Sequence, residues 1–186
     1  MYASSISVHV RTPARPAVED DPLPAPAAAY DLHKQEVERY AAFAYPNSYG
    51  LRLGTVCGPA PNLRPETLLN GLVRSAVRRG VVEVSSPHAH RPLLGVGDLG
   101  RAVEAVLRRA VPPGCYHLAG TNVRVGELAA WAARRFGVPL VESGGATPYD
   151  IRVSADRFRA AAGFEFADTV EGLTDALAAH YLSDPH

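Results

Sequence analysis

Short apolar segments alternate with helical patterns along this chain, and that alternation constrains its fold more than any other feature. Met1–Val10 has an alternating strand pattern with β-branched residues at positions 6, 8 and 10. A helical pattern covers about residues 28–44, and a second strand pattern follows at residues 50–56. Gly58 and Pro59 then end that strand. This order of elements is typical of α/β proteins, in which helices cover a largely parallel sheet. We therefore predict an α/β fold.

The rest of the chain continues this pattern. Pro65 and Gly80 bracket a predicted helix, and Asp98 is placed to cap another. Further strands are predicted at residues 81–84, 92–96 and 116–118, and further helices at 125–136, at 154–163 and from 169 onward. No internal repeat is visible, and the Pro- and acid-rich residues 11–27 are predicted to form a surface loop.

Charge and composition exclude several classes of protein. Nineteen basic and nineteen acidic residues cancel, so neither nucleic acid nor an anionic membrane is an expected partner. No apolar run reaches the roughly 18 residues that suggest a membrane span, and no signal segment is visible, so we expect a cytoplasmic protein. Cys57 and Cys115 are far apart in apolar segments and are predicted to be buried and unpaired.

Lysine is almost absent from the sequence. Eighteen of the nineteen basic residues are arginines, and Lys34 is the single lysine. Where almost all positive charges are arginines, a single lysine suggests a site that needs a compact ammonium on a flexible side chain and that a planar guanidinium would not serve. Lys34 is therefore a candidate functional residue.

Tyr30 and Lys34 are four residues apart in the helical pattern, so their side chains project from one face a turn apart. A nearby cation favours the phenolate, which makes Tyr30 a candidate general acid/base. Ser5, at the end of the first strand, would supply a hydroxyl beside the reacting oxygen. The alternative is that the spacing arises by chance. We predict that Tyr30, Lys34 and Val37 lie on the inward helix face, together with Ala41 and Ala44.

Four segments, in order, resemble one known family. They are Ser4-Ser5-Ile6-Ser7-Val8, Tyr30-Asp31-Leu32-His33-Lys34, Leu51–Pro59 and Arg91–Leu99. They are similar to the Ser…Tyr-x-x-x-Lys segment, the Gly-Pro turn and the Arg…Val-x-Asp-Leu segment of the extended short-chain dehydrogenase/reductase family. This is the NAD-dependent epimerase/dehydratase group of nucleotide-sugar enzymes.

The resemblance implies the C-terminal part of a doubly wound, Rossmann-like parallel sheet, plus a small mixed α/β substrate-binding lobe. Residues 1–60 would hold the remaining strands and the active-site helix of a truncated Rossmann-like domain. Residues 61–186 would form mostly the substrate-binding lobe, with strand and helix segments returning to the core sheet. The Gly-rich dinucleotide-binding half of the family has no counterpart before Ser5.

The resemblance also implies residue roles. Ser5, Tyr30 and Lys34 would be catalytic, and Tyr30 and Lys34 would also bind the cofactor, NAD or NADP. The residues implied to bind the nucleotide-sugar substrate are Ser4, Thr55, Asn62 and Arg91, the last through the diphosphate. No metal is implied. A homodimer, or a missing N-terminal half, is an expected partner.

Three departures from the family bear on function. Val8-His9-Val10 replaces the usual Val-Tyr-Gly, and Thr55 stands where many members have asparagine. Ser5-Ile6-Ser7 lacks the Thr-Asp-Glu triplet of the dehydratases, which favours an epimerase or a reductase. The alternative is a non-catalytic or truncated substrate-binding module that needs a separate cofactor-binding half.

A literal Gly-x-Gly-x-x-Gly stretch occurs at Gly95–Gly100. It would be a phosphate cradle if it followed a strand and opened a helix with free N–H groups. Asp98 puts a carboxylate at that helix start, which favours a helix cap instead. Among other polar clusters, Glu19-Asp20-Asp21 is predicted to be a solvated loop tip, and His88 and His90 to lie in a solvated loop rather than to bind metal.

Overall fold

A computed structural model describes residues 1–12, 14–108 and 111–183. These residues form three small sheets. The first has the parallel order β1 (Tyr2–Ser5), β2 (Tyr49–Leu53), β6 (Gly114–Leu118); the second has the order β3 (Thr55–Cys57), β5 (His90–Gly95), β7 (Thr121–Arg124); the third pairs β4 (Val82–Val84) with β8 (Leu140–Glu142). Only the β5–β7 pair is antiparallel. The predicted α/β class is confirmed.

Six α-helices accompany these sheets in the described residues. They are α1 (Ala29–Ala44), α2 (Leu68–Arg79), α3 (Val96–Arg108), α4 (Val125–Phe136), α5 (Asp156–Ala162) and α6 (Val170–Ser183). In the described part of the chain, no helix has the length and apolar content that crossing a membrane requires. The predicted helix positions agree with these bounds, although α3 begins two residues before Asp98.

Two of the three apolar clusters in the described residues pack the helices against the sheets. The larger one joins α2, α4 and α6 with the β4–β8 sheet around the fully buried Leu69, Val73 and Leu177. The other packs α3 and α5 against β2 and β6 around Leu118 and Phe158. Each fully buried side chain of this size contributes about 1.5–3 kcal/mol of transfer free energy. These cores fix the frame on which the functional residues lie.

The first strand is shorter than its β-branched sequence predicts. It ends at Ser5, and residues Ile6–His9 form a 3-10 helix. The Ser5 hydroxyl accepts a hydrogen bond from the Ser7 N–H at 3.2 Å and so caps the turn. The predicted strand at residues 50–56 is likewise divided at Gly54, where a Cβ would approach the Leu118 carbonyl oxygen to 3.1 Å. Both breaks place polar residues at the ends of strands.

The prediction for the inward face of α1 is wrong. The buried residues are Asp31, Gln35, Glu38 and Ala41, whereas the Tyr30 side chain is 55% exposed. Of the predicted set, only Ala41 is buried. The physical reason lies in the sheet below, whose surface toward α1 is polar. A polar helix face therefore packs there, and several large apolar side chains of the same helix are left exposed.

The centre of this polar interface is a buried ion pair between Glu38 of α1 and Arg52 of β2. The Arg52 Nε and Nη2 atoms lie 2.9 and 2.7 Å from the two carboxylate oxygens of Glu38. The Ser4 hydroxyl donates a further hydrogen bond to Glu38 at 2.5 Å. Two parallel bonds fix the relative orientation of the groups more strictly than one contact would. The pair thus fixes α1 on the sheet.

Two buried histidines extend the network. The Nε2 atoms of His9 and His117 are 2.9 Å apart, and the Arg52 guanidinium lies 3.4 Å from His9. Burial, reinforced by His117 and Arg52, lowers the pKa of His9 to about 3. Burial also lowers the pKa of His117 to about 4. Both rings are therefore neutral near neutral pH.

Glu19 joins the same network, so its prediction as part of a solvated loop tip is wrong. Its side chain is buried, and its carboxylate accepts a hydrogen bond from the His117 backbone N–H at 2.9 Å. Its carbonyl oxygen accepts a hydrogen bond from Arg52 at 3.0 Å. The loop at residues 11–27 is consequently tied to the sheet at this point.

The lowered histidine pKa values predict that acid destabilises the fold. An unfolded histidine has a pKa of about 6.5, so the contribution of each ring is complete above that pH and is lost as the pH falls toward 4 and 3. At pH 5 the expected loss is about 2 kcal/mol per histidine. Thermal unfolding at pH 7.5 and pH 5 should show a smaller drop in Tm for His9→Gln than for the wild type. The exposed His88→Gln is the control, and an equal drop in all three proteins would contradict the prediction.

Candidate functional site

A cavity of about 360 Å³ lies where β1 and β2 end, beside the first turns of α1. Six residues that the sequence analysis singled out line it: Ser4, Ser5, Tyr30, Lys34, Thr55 and Asn62. They come from β1, α1, β3 and the loop after β3. The carboxyl ends of parallel strands are the usual place for ligands in α/β folds. Arg91, the seventh predicted residue, does not line this cavity.

Lys34 and Tyr30 lie together at the wall of the cavity. The Lys34 ammonium donates a hydrogen bond to the Ala3 carbonyl oxygen at 2.9 Å and lies 5.4 Å from the centre of the Tyr30 ring. A cation within about 6 Å of an aromatic ring is attracted to it. The Tyr30 phenol is exposed rather than buried, so it is open to a ligand that enters the cavity.

The two neighbouring serines differ in what holds them. The Ser5 hydroxyl donates a hydrogen bond to the Ser7 hydroxyl at 3.0 Å, within the 3-10 turn. The Ser4 side chain is buried, and its hydroxyl is bound to Glu38. Ser5 is therefore the more accessible of the two, and the implied roles of both stay predictions.

The sequence analysis missed Asn70, a residue of α2 that shapes the far wall. Its side chain is only 2% exposed; its Oδ1 accepts a hydrogen bond from the Gly58 N–H at 3.1 Å, and its Nδ2 donates one to the Arg64 carbonyl oxygen at 3.0 Å. The two bonds hold both ends of the loop that carries Asn62. The sequence signal that could have identified Asn70 is its amide side chain among the otherwise apolar buried residues of α2.

Arg91 lies at the start of β5, half-buried, and the acceptors that it binds in the described residues are neutral. Its guanidinium donates hydrogen bonds to the Tyr149 carbonyl oxygen at 2.6 Å, to the Thr147 hydroxyl at 2.8 Å and to the His90 carbonyl oxygen at 3.0 Å. Burial lowers its pKa, while the charge of the nearby Asp150 opposes that shift. The positive charge of Arg91 is therefore held in place without a carboxylate bound to it.

The Gly95–Gly100 stretch is not a phosphate cradle. The Asp168 carboxylate accepts a hydrogen bond from the Asp98 N–H at 2.8 Å, at the N-terminus of α3 where a phosphate would bind. In return, the Asp98 carboxylate accepts hydrogen bonds from the backbone N–H groups of Ala167 and Asp168 at 2.9 and 3.0 Å. Asp98 thus ties the loop before α6 to α3 instead of capping its own helix as predicted.

This arrangement predicts opposite effects of two glycine substitutions. A Cβ at Gly95 would overlap the Asp168 side chain, so Gly95→Ala should lower the free energy of unfolding by about 1–3 kcal/mol. Gly100 lies within α3 with nothing within 4 Å of a Cβ, so Gly100→Ala should raise it by about 0.5–1 kcal/mol. Urea unfolding of both variants checks this. Equal effects would show that Asp168 does not fill the space beside Gly95.

The described ranges hold no candidate metal site. No group of three or more histidine, cysteine or carboxylate ligands could hold a metal there. His88 is exposed, and the His90 ring contacts Asp150 at 2.9 Å. Cys57 and Cys115 are unpaired, as predicted, and burial raises their thiol pKa values to about 12 and about 11. Neither thiol is suited to nucleophilic chemistry near neutral pH.

No protein-family model and no curated protein matches the chain, but solved structures do. RMD from Pseudomonas aeruginosa, complexed with NADPH, is 19% identical over 98% of this chain and 66% of its own, with a TM-score of 0.83. MoeE5, in complex with UDP-glucose and NAD, is 26% identical over 97% and 64%, with a TM-score of 0.79. The chain has the fold of the extended short-chain dehydrogenases/reductases.

A further neighbour binds a nucleotide sugar with an acidic sugar ring. UDP-glucuronic acid 4-epimerase from Bacillus cereus, in complex with UDP-glucuronic acid and NAD, is 15% identical over 97% of this chain, with a TM-score of 0.83. The chain spans 60% of that protein's length and 66% of that of RMD. The expectation of a doubly wound, Rossmann-like fold is confirmed. The division into two units at residue 60 stays a prediction.

Proposed function

We propose that the chain carries the active-site and substrate-binding part of an NAD(P)-dependent epimerase or reductase that acts on a nucleotide-linked sugar. The observation that carries the proposal is that Ser5, Tyr30 and Lys34 line the same cavity. The solved neighbours, which are NAD-dependent nucleotide-sugar epimerases and dehydratases, support it.

The proposed roles follow from position. The Tyr30 phenol, exposed at the cavity, would exchange a proton with a sugar hydroxyl or ketone. The Lys34 ammonium, 5.4 Å from the centre of the Tyr30 ring, would donate a hydrogen bond to ribose. Ser5 would orient the reacting sugar oxygen. A bound nicotinamide would supply or accept the hydride.

The cavity suits the reactive end of a dinucleotide and not its whole length. Lys34 and Tyr30 line a space of about 360 Å³, whereas the Gly-x-Gly-x-x-Gly stretch of the sequence is occupied by Asp168. We therefore propose that the pyrophosphate and adenosine are held mainly by a further α/β unit. Such a unit could belong to the same polypeptide or to a partner.

The unpaired edge of β1, on the side away from β2, is where we propose that this further unit packs. β1 is the end strand of its sheet within the described residues, and the adjoining α1 surface is apolar. The exposed residues there are Met1, Val37, Tyr40, Phe43 and Tyr45. An unpaired strand edge beside exposed aromatic side chains is a surface that folded proteins normally cover. This feature also favours the second candidate function, a substrate-binding module that is inactive without a separate cofactor-binding half.

Arg91 is proposed to bind the diphosphate of the substrate. Its guanidinium is half-buried, its bound acceptors are neutral, and no carboxylate contacts it among the described residues. A guanidinium presents donors that match phosphate geometry in pairs. The remaining proposed substrate contacts, Thr55 and Asn62, line the cavity itself.

Calorimetric titration of the purified chain tests this function. We expect UDP-glucose or dTDP-glucose to bind, and Arg91→Gln to weaken binding about tenfold, which corresponds to about 1.4 kcal/mol. NAD⁺ should bind weakly, and Lys34→Ala should abolish that binding.

Tyr40→Phe is the matched control, because Tyr40 is an exposed tyrosine of the same helix outside the cavity. Its affinities should equal those of the wild type. If the wild-type chain bound neither UDP-glucose nor dTDP-glucose, the proposed function would be contradicted. Equal losses of affinity in Tyr40→Phe and Arg91→Gln would contradict it as well. NAD⁺ binding that survives Lys34→Ala would contradict the cofactor role of Lys34.

A further inference from the structure

We propose that Tyr149 is a positioning residue that holds Arg91 in its anion-binding orientation and ties it, through Asp31, to the first turn of the helix that bears Tyr30. The inference rests on the proposed function, because it concerns how the substrate diphosphate and the acid/base residue are placed relative to each other. Its evidence is a continuous series of contacts from Asp31 to Arg91.

The first contact is made by a buried carboxylate. Asp31 is fully buried, and its Oδ2 accepts hydrogen bonds from the Tyr149 hydroxyl at 2.8 Å and from the Ala28 N–H at 3.2 Å. Its Oδ1 has no hydrogen-bond partner among the described residues. The Tyr149 hydroxyl therefore provides one of the two hydrogen bonds that this buried side chain accepts. A buried polar group that loses a hydrogen-bond partner destabilises its surroundings.

The second set of contacts joins Tyr149 to Arg91. The Tyr149 carbonyl oxygen accepts a hydrogen bond from Arg91 at 2.6 Å, and the Arg91 guanidinium lies 5.6 Å from the centre of the Tyr149 ring. The Thr147 hydroxyl is bonded both to Arg91, at 2.8 Å, and to the Tyr149 N–H, at 3.3 Å. The carbonyl oxygen and the ring of Tyr149, and the hydroxyl of Thr147, all contact the Arg91 guanidinium. The orientation of the guanidinium therefore depends on the position of Tyr149.

The Tyr149 hydroxyl keeps its proton near neutral pH. Burial, followed by the hydrogen bond to Asp31, raises the pKa of Tyr149 to about 12. It can therefore donate the hydrogen bond to Asp31 under physiological conditions.

The consequence concerns specificity. Asp31 directly follows Tyr30, so the acid/base residue and the diphosphate-binding arginine share one support. A sugar joined to its nucleotide by a diphosphate carries a group for each of these two residues, whereas a free sugar or a sugar monophosphate has no diphosphate for Arg91 to bind. Tyr149 therefore favours the diphosphate-linked substrate by fixing the spacing of the two groups.

Calorimetric titration with UDP tests this in a double-mutant cycle. Tyr149→Phe keeps the ring and removes the hydroxyl, and it should weaken UDP binding about three- to tenfold. In the Arg91→Gln background the same change should have no further effect, because Tyr149 acts through Arg91. Tyr49→Phe is the matched control; it removes a hydroxyl bonded to the Val111 carbonyl oxygen at 3.0 Å, outside the cavity. Additive losses, or equal losses in both Tyr→Phe variants, would overturn the proposal.

Amide hydrogen exchange provides a reading that does not depend on UDP. The Leu32 N–H is bonded to Ala28 at 3.1 Å and the Asp150 N–H to Val10 at 3.0 Å, one on each side of the link. Both should exchange several-fold faster in Tyr149→Phe and unchanged in Tyr49→Phe. Unchanged exchange at both amides would overturn the proposed link. If wild-type protein bound no UDP, the proposed function would fail, and the exchange rates alone would decide whether Tyr149 couples Asp31 to its loop.

Discussion

The placement of α1 on the sheet, and with it the shape of the candidate site, depends on the ion pair between Glu38 and Arg52. This ion pair lies between a helix and a sheet, a place where apolar side chains are the rule, and it is extended by the Ser4 hydroxyl and two histidine rings. Taking both charges out of water is costly, and the geometry offsets that cost by meeting both carboxylate oxygens. Such a pair contributes orientation more than net stability. Removing one partner would leave the other charge buried and unpaired.

The orientation of α1 explains the cavity. Because the polar side of the helix faces the sheet, Tyr30 and Lys34 lie at its edge, beside the end of β1, and are not enclosed beneath the helix. The 3-10 turn after Ser5 ends the strand at the same level. The three residues therefore converge without any of them belonging to a core. The same orientation of α1 leaves several of its large apolar side chains exposed.

Local patterns predicted much of this structure. Helix starts and ends agreed where caps and apolar spacing are local, and the Tyr30–Lys34 spacing led directly to the cavity. The inward face of α1 was predicted wrongly, because helical periodicity assumes an apolar sheet and Arg52 makes this one polar. Tyr149 was missed for a different reason: its contact with Asp31 joins residues 118 positions apart, which no local pattern records.

The central claim is that a nucleotide sugar binds where Ser5, Tyr30 and Lys34 meet, and NMR mapping tests it most directly. A ¹⁵N-labelled sample of this 19.8-kDa chain would be titrated with UDP-glucose while the backbone amide signals are followed. The account predicts that the largest shifts fall at these residues, at Thr55 and Arg91, and in the loop around Asn62. Saturable shifts confined to any other part of the surface would contradict it.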